Sequence, residues 1–202
     1  MIAVIDYGVG NLGSVSNAIK YLGGPAKITN RPADLKKADK IVLPGVGAFK
    51  DALDSMNELG LIEPLKEEIS KGKIYLGICL GLEVLFEKSE EGDGGSEGLG
   101  IIKGDVVKFR GRGLKVPHMG WNQVKTERQG CPLFKGISDG SFFYFVHSYY
   151  VEPVHGGIKA ATTDYGLNFT SMVWKENIFA TQFHPEKSQT VGLKFLLNFL
   201  KI

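Results

Sequence analysis

A cysteine stands between two glycines where an apolar run of the chain ends. The run covers residues 73–77, and Gly-Ile-Cys-Leu-Gly occupies residues 77–81. Gly-x-Cys-x-Gly is the thiol form of the nucleophile elbow, a sharp strand-to-helix turn that holds its nucleophile in a strained backbone conformation. Side chains at the flanking positions would clash as strand and helix close together, which explains the glycines. The sequence therefore predicts a strand, a turn and a helix, with the Cys79 thiol at the tip.

The position of Cys79 before a helix favours reactivity. Free N–H groups and the dipole at a helix N-terminus stabilise a thiolate, which is the nucleophilic form of cysteine. The N–H of Leu80 is expected on the same side as the sulfur, where it donates to a developing oxyanion. The competing interpretation is a buried structural cysteine, which is the commoner role for a free thiol.

A second stretch favours catalysis over burial. Residues 179–183 read as a strand, and His184, Pro185 and Glu186 follow. Alternate residues of an extended segment face the same side, so His184 and Glu186 are expected to line up, and Pro185 stiffens the backbone between them. A nucleophile needs a base, and the base needs a group that orients it. Cys79, His184 and Glu186 are therefore the predicted catalytic residues.

A glycine-rich segment offers a rival interpretation. Residues 8–13, Gly-Val-Gly-Asn-Leu-Gly, match the Gly-x-Gly-x-x-Gly fingerprint of dinucleotide-binding enzymes. That fingerprint requires an acidic residue about 20 positions further on, and residues 28–31 contain none. Two residues, Asp6 and Tyr7, also separate the preceding strand from the first glycine. We favour a loop that begins a helix over residues 12–22, with a nucleotide-dependent oxidoreductase as an alternative.

Composition limits the class of protein. The 202 residues include 24 basic and 22 acidic side chains, so the net charge of +2 gives no reason to expect a nucleic-acid partner. With 43% apolar and 23% charged residues the chain has the balance of one globular domain, residues 1–202. It has no apolar run near the ~20 residues that span a bilayer. Two cysteines, Cys79 and Cys131, make no disulfide framework, so we expect a cytoplasmic protein.

Metal binding is not expected. The segment 88–98 is rich in glycine and acidic residues and reads as a solvated loop, with the carboxylates of Glu90, Glu91, Asp93 and Glu97. No histidine and cysteine pair has the spacing of zinc ligands.

The pattern of elements changes midway along the chain. In the first half, strands at residues 2–6, 27–29, 40–43 and 73–77 alternate with helices at residues 12–22, 32–37, 51–59, 61–71 and 82–87. From Leu99 onwards the pattern is one of short strands, at residues 104–109, 119–125, 142–146, 157–163, 169–174 and 177–183. A helix over residues 188–202 follows, with Ser188 as its expected N-cap. This predicts an α/β fold: an open, mostly parallel sheet flanked by helices, with an additional, mainly antiparallel strand region in the second half.

Together these motifs resemble the class I (triad) glutamine amidotransferases. Four runs narrow the resemblance to the glutaminase subunit of imidazole glycerol phosphate synthase, from histidine biosynthesis: residues 6–12, 43–49, 117–122 and 184–188. The resemblance spans nearly the whole chain. Its most specific part is Pro-His-Met-Gly-Trp-Asn at residues 117–122, because sister amidotransferases share the elbow and the His-Pro-Glu run but not this one.

The resemblance implies a reaction and a partner. The chain is expected to hydrolyse glutamine through a thioester on Cys79, without a cofactor. The ammonia is expected to pass to a cyclase subunit, a separate β/α-barrel chain that completes a heterodimer. No membrane or nucleic acid takes part.

The resemblance also implies roles for individual residues. Leu80 and either Val46 or Gly47 would supply the backbone N–H groups of the oxyanion hole. Gly47, Glu83, Ser148 and Tyr149 would contact glutamine, the last two through their backbone groups. The partner would meet the chain at Asn11, His118 and Trp121.

One position departs from the family pattern. The family usually has glutamine four residues after the nucleophile, and this chain has Glu83. Residues four apart share a helix face, so a carboxylate would lie near the thiolate, and like charges disfavour joint ionisation. Our hypothesis is that Glu83 weakens basal activity or shifts its pH optimum. The alternatives that remain open are a glutaminase subunit of another biosynthetic amidotransferase and a catalytically weakened regulatory module.

Overall fold

A computed structural model describes residues 1–92, 94–111 and 113–202. Asp93, expected in the solvated acidic loop, lies outside the described residues. The α-helices are α1 Leu12–Tyr21, α2 Pro32–Lys37, α3 Phe49–Glu58, α4 Ile62–Ser70, α5 Leu80–Glu83 and α6 Gln189–Lys201. The strands are β1 Ile2–Ile5, β2 Ala26–Thr29, β3 Lys40–Gly45, β4 Ile74–Cys79, β5 Lys88–Ser89, β6 Ser96–Glu97, β7 Gly104–Lys108, β8 His118–Thr126, β9 Ser141–His147, β10 Tyr149–Pro153, β11 Lys159–Asp164, β12 Asn168–Lys175 and β13 Ile178–Thr181.

Five parallel strands form the first half of the sheet, in the order β2-β1-β3-β4-β13. Strands covered on both faces by helices read as continuous apolar runs, and all four residues of β1 are buried. Successive residues face opposite sides. Ile41 and Leu43 pack with α2, α3 and α4, whereas Val42 packs with α1 and α6. The two apolar layers hold the carboxyl ends of these strands at one edge of the sheet.

The strands of the second half are mainly antiparallel. β12 pairs with β13 and with β10, and β10 pairs with β7. A branch runs from β12 through β11 to β8 and β9, again antiparallel. This architecture confirms the predicted fold class. That residues 1–202 form a single domain stays a prediction.

The position of β13 determines where the predicted catalytic residues meet. β13 is the last strand in sequence, yet it lies between β4 and β12 in the sheet. β4 and β13 are parallel neighbours, with Ile78 beside Thr181. Cys79 ends β4, and His184 follows three residues after β13 ends. The two segments therefore leave the sheet side by side.

The predicted helix over residues 82–87 is wrong. α5 is a single turn that ends at Glu83. The carbonyl oxygens of Val84, Leu85 and Phe86 accept hydrogen bonds from backbone N–H groups of residues 99–102, so they cannot continue a helical ladder. Tertiary hydrogen bonds thus override the helical propensity of this segment.

Two further expectations need correction. The segment read as a loop over residues 88–98 contains the short strands β5 and β6, which pair with each other. Strand β10, which carries Tyr149, was not predicted. Its Glu152 and Pro153 interrupt the strand pattern, although both residues pair with β7.

No helix in the described ranges combines the length and the apolar character that crossing a bilayer requires.

Candidate active site

The Cys79 turn has the geometry expected of a nucleophile elbow. Cys79 has φ 54° and ψ −105°, a conformation that costs a non-glycine residue about 1–3 kcal/mol. A Cβ at Gly77 would overlap the carbonyl oxygen of Gly81, and a Cβ at Gly81 would overlap that of Leu43. The hydroxyl of Tyr75, itself buried, donates to the Gly81 carbonyl over 2.6 Å. Close backbone packing and one buried hydrogen bond therefore hold the strained turn in place.

The Cys79 thiol favours its protonated form. Burial raises its pKa well above the usual value, and the negative charges of Glu83 and Glu186 raise it further. The backbone N–H of Leu80 and the side chain of Gln182 act in the opposite direction. Gln182 Nε2 lies 3.8 Å from the sulfur. A thiol in this state needs a base nearby before it can attack a substrate.

His184 and Glu186 form the pair that the sequence predicts. His184 Nδ1 lies 2.8 Å from Glu186 Oε1, and the structure buries both side chains. A carboxylate accepts, so Nδ1 carries the proton and Nε2 presents its lone pair. Among the described residues Nε2 has no hydrogen-bond partner. Glu186 lies in a 3₁₀ turn, Pro185–Lys187, rather than in the extended segment that we expected.

Ser188, which we expected to cap helix α6, instead helps to fix the backbone of His184. His184 N donates to Tyr144 O over 2.9 Å. The Ser188 hydroxyl donates to His184 O over 2.6 Å and accepts from Tyr144 N over 3.0 Å. Ser188 does occupy the N-cap position of α6, but its side chain makes no capping hydrogen bond. Its hydroxyl ties β9 to the histidine instead.

A cavity of about 270 Å³ opens beside the sulfur. This is below the ~300–1,000 Å³ typical of drug-sized ligands, and it suits a ligand of amino-acid size. It brings together Cys79 and every residue expected in the oxyanion hole or around glutamine: Val46, Gly47, Leu80, Glu83, Ser148 and Tyr149.

Four more residues line the cavity that sequence reasoning did not assign to it: Glu91, Pro117, Val146 and His147. Glu91 Oε2 accepts from Phe49 N over 2.7 Å, which anchors the segment after β5 to the start of α3. Pro117 belongs to the run 117–122 that the resemblance singled out, and His147 adjoins Ser148, so each had a signal in the sequence. Glu91 had none, because it lies among several acidic residues of one loop.

The Glu83 carboxyl group lies near the Cys79 sulfur, as the four-residue spacing predicts. Its Oε1 accepts from Gln182 Nε2 over 2.7 Å, and the same nitrogen faces the sulfur. Burial raises the pKa of Glu83 to about 7, the charge of Glu91 adds to this, and the Gln182 hydrogen bond opposes it. A carboxyl group with a pKa raised to about 7 therefore shares the Gln182 amide with the Cys79 sulfur. The effect of Glu83 on activity stays a prediction.

The three expected interface residues have different surroundings. Trp121 is 46% exposed and shares one face of β8 and β9 with Met119 and Phe142, which are 61% and 53% exposed. Asn11 is also exposed, and its side-chain oxygen accepts from Ser14 N at the start of α1. His118 does not lie at the surface. It is 3% exposed, because it lies on β8 an odd number of residues from Trp121 and therefore faces the interior.

In the described part of the chain, no group of three or more histidine, cysteine or acidic side chains is arranged to hold a metal ion. The second cysteine, Cys131, is buried before a 3₁₀ turn, and burial raises its pKa. The expectation that the chain uses no metal stays a prediction.

Comparison with known proteins places this geometry in context. The family model "Glutamine amidotransferase class-I" matches residues 3–202. The imidazole glycerol phosphate synthase subunit HisH of Syntrophotalea carbinolica is 51% identical over 205 residues, with 98% of each chain covered. The same subunit of Caldanaerobacter subterraneus subsp. tengcongensis is 50% identical, over 98% of this chain and 97% of the relative.

Solved structures agree on the fold. PurLQS from Thermotoga maritima superposes with a TM-score of 0.78 at 17% identity, over 99% of this chain and 97% of that one. A glutamine amidotransferase structure gives a TM-score of 0.77 at 17% identity, with both chains fully covered. At this identity the likeness concerns the arrangement of helices and strands.

Proposed function

The chain belongs to the class I glutamine amidotransferase family, and we propose that Cys79, His184 and Glu186 carry out its hydrolysis of glutamine. Within the family it is a glutaminase subunit of imidazole glycerol phosphate synthase. Two observations carry the residue assignment. The strained Cys79 turn opens on a cavity. Glu186 of the buried histidine–carboxylate pair is near enough for its charge to raise the pKa of the Cys79 thiol. A nucleotide-dependent oxidoreductase has no such support.

The first half of the proposed reaction forms a thioester. His184 Nε2 takes the thiol proton, and the sulfur attacks the side-chain amide carbon of glutamine. The N–H of Leu80 and one from Val46 or Gly47 stabilise the oxyanion, each contributing roughly 3 kcal/mol. His184 then returns the proton to the leaving nitrogen, the C–N bond breaks, and ammonia departs.

The second half regenerates the enzyme. His184 Nε2 takes a proton from water, and the resulting hydroxide attacks the thioester carbon. The C–S bond breaks, glutamate leaves, and the thiol recovers its proton. Glu186 keeps the proton of His184 on Nδ1 throughout, so that Nε2 stays available at each step.

The ammonia acceptor is a cyclase subunit, which we place against the exposed face of β8 and β9. Met119, Trp121 and Phe142 give this face three large apolar side chains, an unusual cluster for surface that stays in water. The same two strands carry Val146 and His147, which line the cavity, and Val146 pairs with Met119 and so lies on the docking face itself. A partner docked here would therefore meet a face that includes one residue of the cavity wall. Because Cys79 must stay reduced, we place the heterodimer in the cytoplasm.

Glutamate release from glutamine tests the proposal. We would measure it for the purified chain, alone and with the cyclase subunit and its nucleotide ligand, beside Cys79→Ala. Cys131→Ala is the matched control, since that cysteine is also buried but lies outside the cavity. We expect strong stimulation by the partner that Cys79→Ala abolishes and Cys131→Ala retains.

Two other results would change the proposal. Activity that ignores the partner would keep the glutaminase site but contradict the docking proposal. Absence of activity in every mixture would favour the weakened regulatory module, and Glu83 would be the first residue to revert to glutamine.

A further inference from the structure

Two buried histidines, His118 on β8 and His147 on β9, pair with each other on the buried face of these strands. His118 Nδ1 is 2.9 Å from His147 Nε2, and His147 Nδ1 is 2.7 Å from Tyr149 O. At the other end, Asn122 Nδ2 is 3.3 Å from His118 Nε2 and 2.8 Å from Asp164 O. A continuous series of hydrogen bonds thus joins Asn122, on the docking strand β8, to Tyr149 in the cavity wall.

The chemistry of the end groups fixes every proton in this series. Tyr149 O can only accept, so His147 carries its proton on Nδ1 and accepts at Nε2. His118 must then donate from Nδ1, which leaves its Nε2 to accept from the Asn122 amide. The two amide protons of Asn122 serve His118 Nε2 and Asp164 O. Both histidines are therefore neutral Nδ1–H tautomers, and all their ring nitrogens are used.

Aromatic packing holds the first ring from both sides. The His118 ring stacks on Tyr165 at 3.9 Å between centroids and on Phe145 at 4.9 Å, each with an interplanar angle of 22°. The Tyr165 hydroxyl donates to Lys115 O over 2.9 Å, which fixes that ring in turn. Burial lowers the pKa of His118 to about 4 and that of His147 to about 3, so neither gains a charge near neutral pH.

We propose that His147 and His118 are positioning residues for glutamine binding, and that they act by fixing the backbone of Tyr149 in the cavity wall. Phe109 N donates to Ser148 O over 3.1 Å, so one carbonyl of this wall is fixed by the main chain. The next carbonyl, that of Tyr149, depends on His147. The kinetic consequence rests on the proposed function, whereas the tautomer assignment does not.

Amide substitutions separate the two hydrogen bonds of His147. In His147→Asn the side-chain nitrogen takes the place of Nδ1, and it keeps the bond to Tyr149 O. In His147→Gln the amide reaches the position of Nε2, and it keeps only the contact with His118. We expect His147→Gln to raise the KM for glutamine roughly three- to tenfold with a smaller change in kcat. His147→Asn, which loses only the bond from His118, should raise the KM less than His147→Gln does.

The controls address a purely structural role. His155→Gln alters an exposed histidine in a turn and should change neither constant. If His147 only fills space, the two amide variants should perturb KM and kcat alike, and this result would overturn the proposal. A change in kcat with an unaltered KM would overturn it as well.

A second measurement does not depend on catalysis. Long-range ¹H–¹⁵N spectra of the ¹⁵N-histidine-labelled full chain report which ring nitrogen carries a proton. His184 also carries a proton on Nδ1, against Glu186. Beside that signal we expect Nδ1–H signals for two further histidines, unchanged across roughly pH 5 to 8, of which His118→Asn and His147→Asn each remove one. An Nε2–H tautomer, or protonation of either ring in this range, would overturn the proposal even if glutamine hydrolysis is fully established.

Discussion

Replacing Glu83 with glutamine removes a buried carboxyl group that shares the Gln182 amide with the Cys79 sulfur, and it keeps the side-chain shape. Burial raises the pKa of this group from its usual 4.5 to about 7. At roughly 1.4 kcal/mol per pKa unit, ionising this carboxyl costs about 3 kcal/mol more in the folded chain than in the unfolded chain. The new side chain can still accept from Gln182 Nε2, which donates to Glu83 Oε1 over 2.7 Å. The substitution therefore removes the titration without removing the hydrogen bond.

The pH range of the effect follows from the direction of the shift. Below pH 4.5 the carboxyl is protonated in both states and costs no ionisation energy. As the pH rises towards 7, the unfolded chain loses the proton that the folded chain retains, and the free energy of unfolding falls by about 3 kcal/mol. The advantage of Glu83→Gln over the wild type should therefore grow across this range and remain constant above it.

Chemical denaturation at a series of pH values measures this difference. Glu58→Gln, an exposed position on α3, is the matched control and should track the wild type at every pH. A difference between Glu83→Gln and the wild type that does not depend on pH would refute the reasoning, as would one that shrinks towards neutral pH.

The same substitution should alter the ionisation of the Cys79 thiol. The Glu83 carboxylate raises the pKa of Cys79, second only to burial. We therefore expect Glu83→Gln to move the pH dependence of Cys79 alkylation by iodoacetamide, and that of glutamate release, to lower pH. Profiles that coincide with those of the wild type would show that the carboxylate does not act on the thiol.

Two further predictions concern the backbone around the nucleophile. Gly81→Ala places a Cβ against the carbonyl oxygen of Leu43 and should lower the free energy of unfolding by at least about 1–3 kcal/mol. Gly13→Ala lies in open space within α1 and should raise the free energy of unfolding by up to about 1 kcal/mol. Denaturation curves that rank the two variants otherwise would contradict the packing argument. Tyr75→Phe leaves the buried Gly81 carbonyl unpaired and should lower the free energy of unfolding by about 1–3 kcal/mol. We also expect slower alkylation of Cys79 in this variant. An unchanged denaturation midpoint would show that the hydroxyl does not support the turn.

Local motifs made much of this site predictable. The glycines around Cys79 and the His-Pro-Glu run need only a few adjacent residues to be recognised, and the structure brings Cys79, His184 and Glu186 to the same edge of the sheet. The continuous apolar runs of the parallel strands were equally clear, because both of their faces are buried. The catalytic roles of Cys79, His184 and Glu186 stay a proposal that the kinetic experiments test.

The features that escaped prediction depend on contacts between distant segments. His118 and His147 are 29 residues apart, and no spacing rule connects them. Helix α5 ends after one turn because residues 99–102 bond to the carbonyl groups that would extend it. Ser188 has the residue type of an N-cap, but the tertiary fold uses its hydroxyl to join Tyr144 and His184. Each case is a polar group whose partner only the folded chain supplies.

The central place of β13 has a consequence for the synthesis of the protein on the ribosome. The strand that precedes the nucleophile emerges long before its neighbour, since Cys79 and Gln182 are 103 residues apart in sequence. Until β13 is made, one edge of β4 lacks its partner, and His184, which we propose as the base, has not yet been synthesised. On the proposed mechanism, a nascent chain therefore cannot release ammonia from glutamine before translation has passed Glu186. The order of strands makes hydrolysis one of the last properties that the growing polypeptide acquires, and the long-range pairing that completes the sheet is expected to be a slow step of folding.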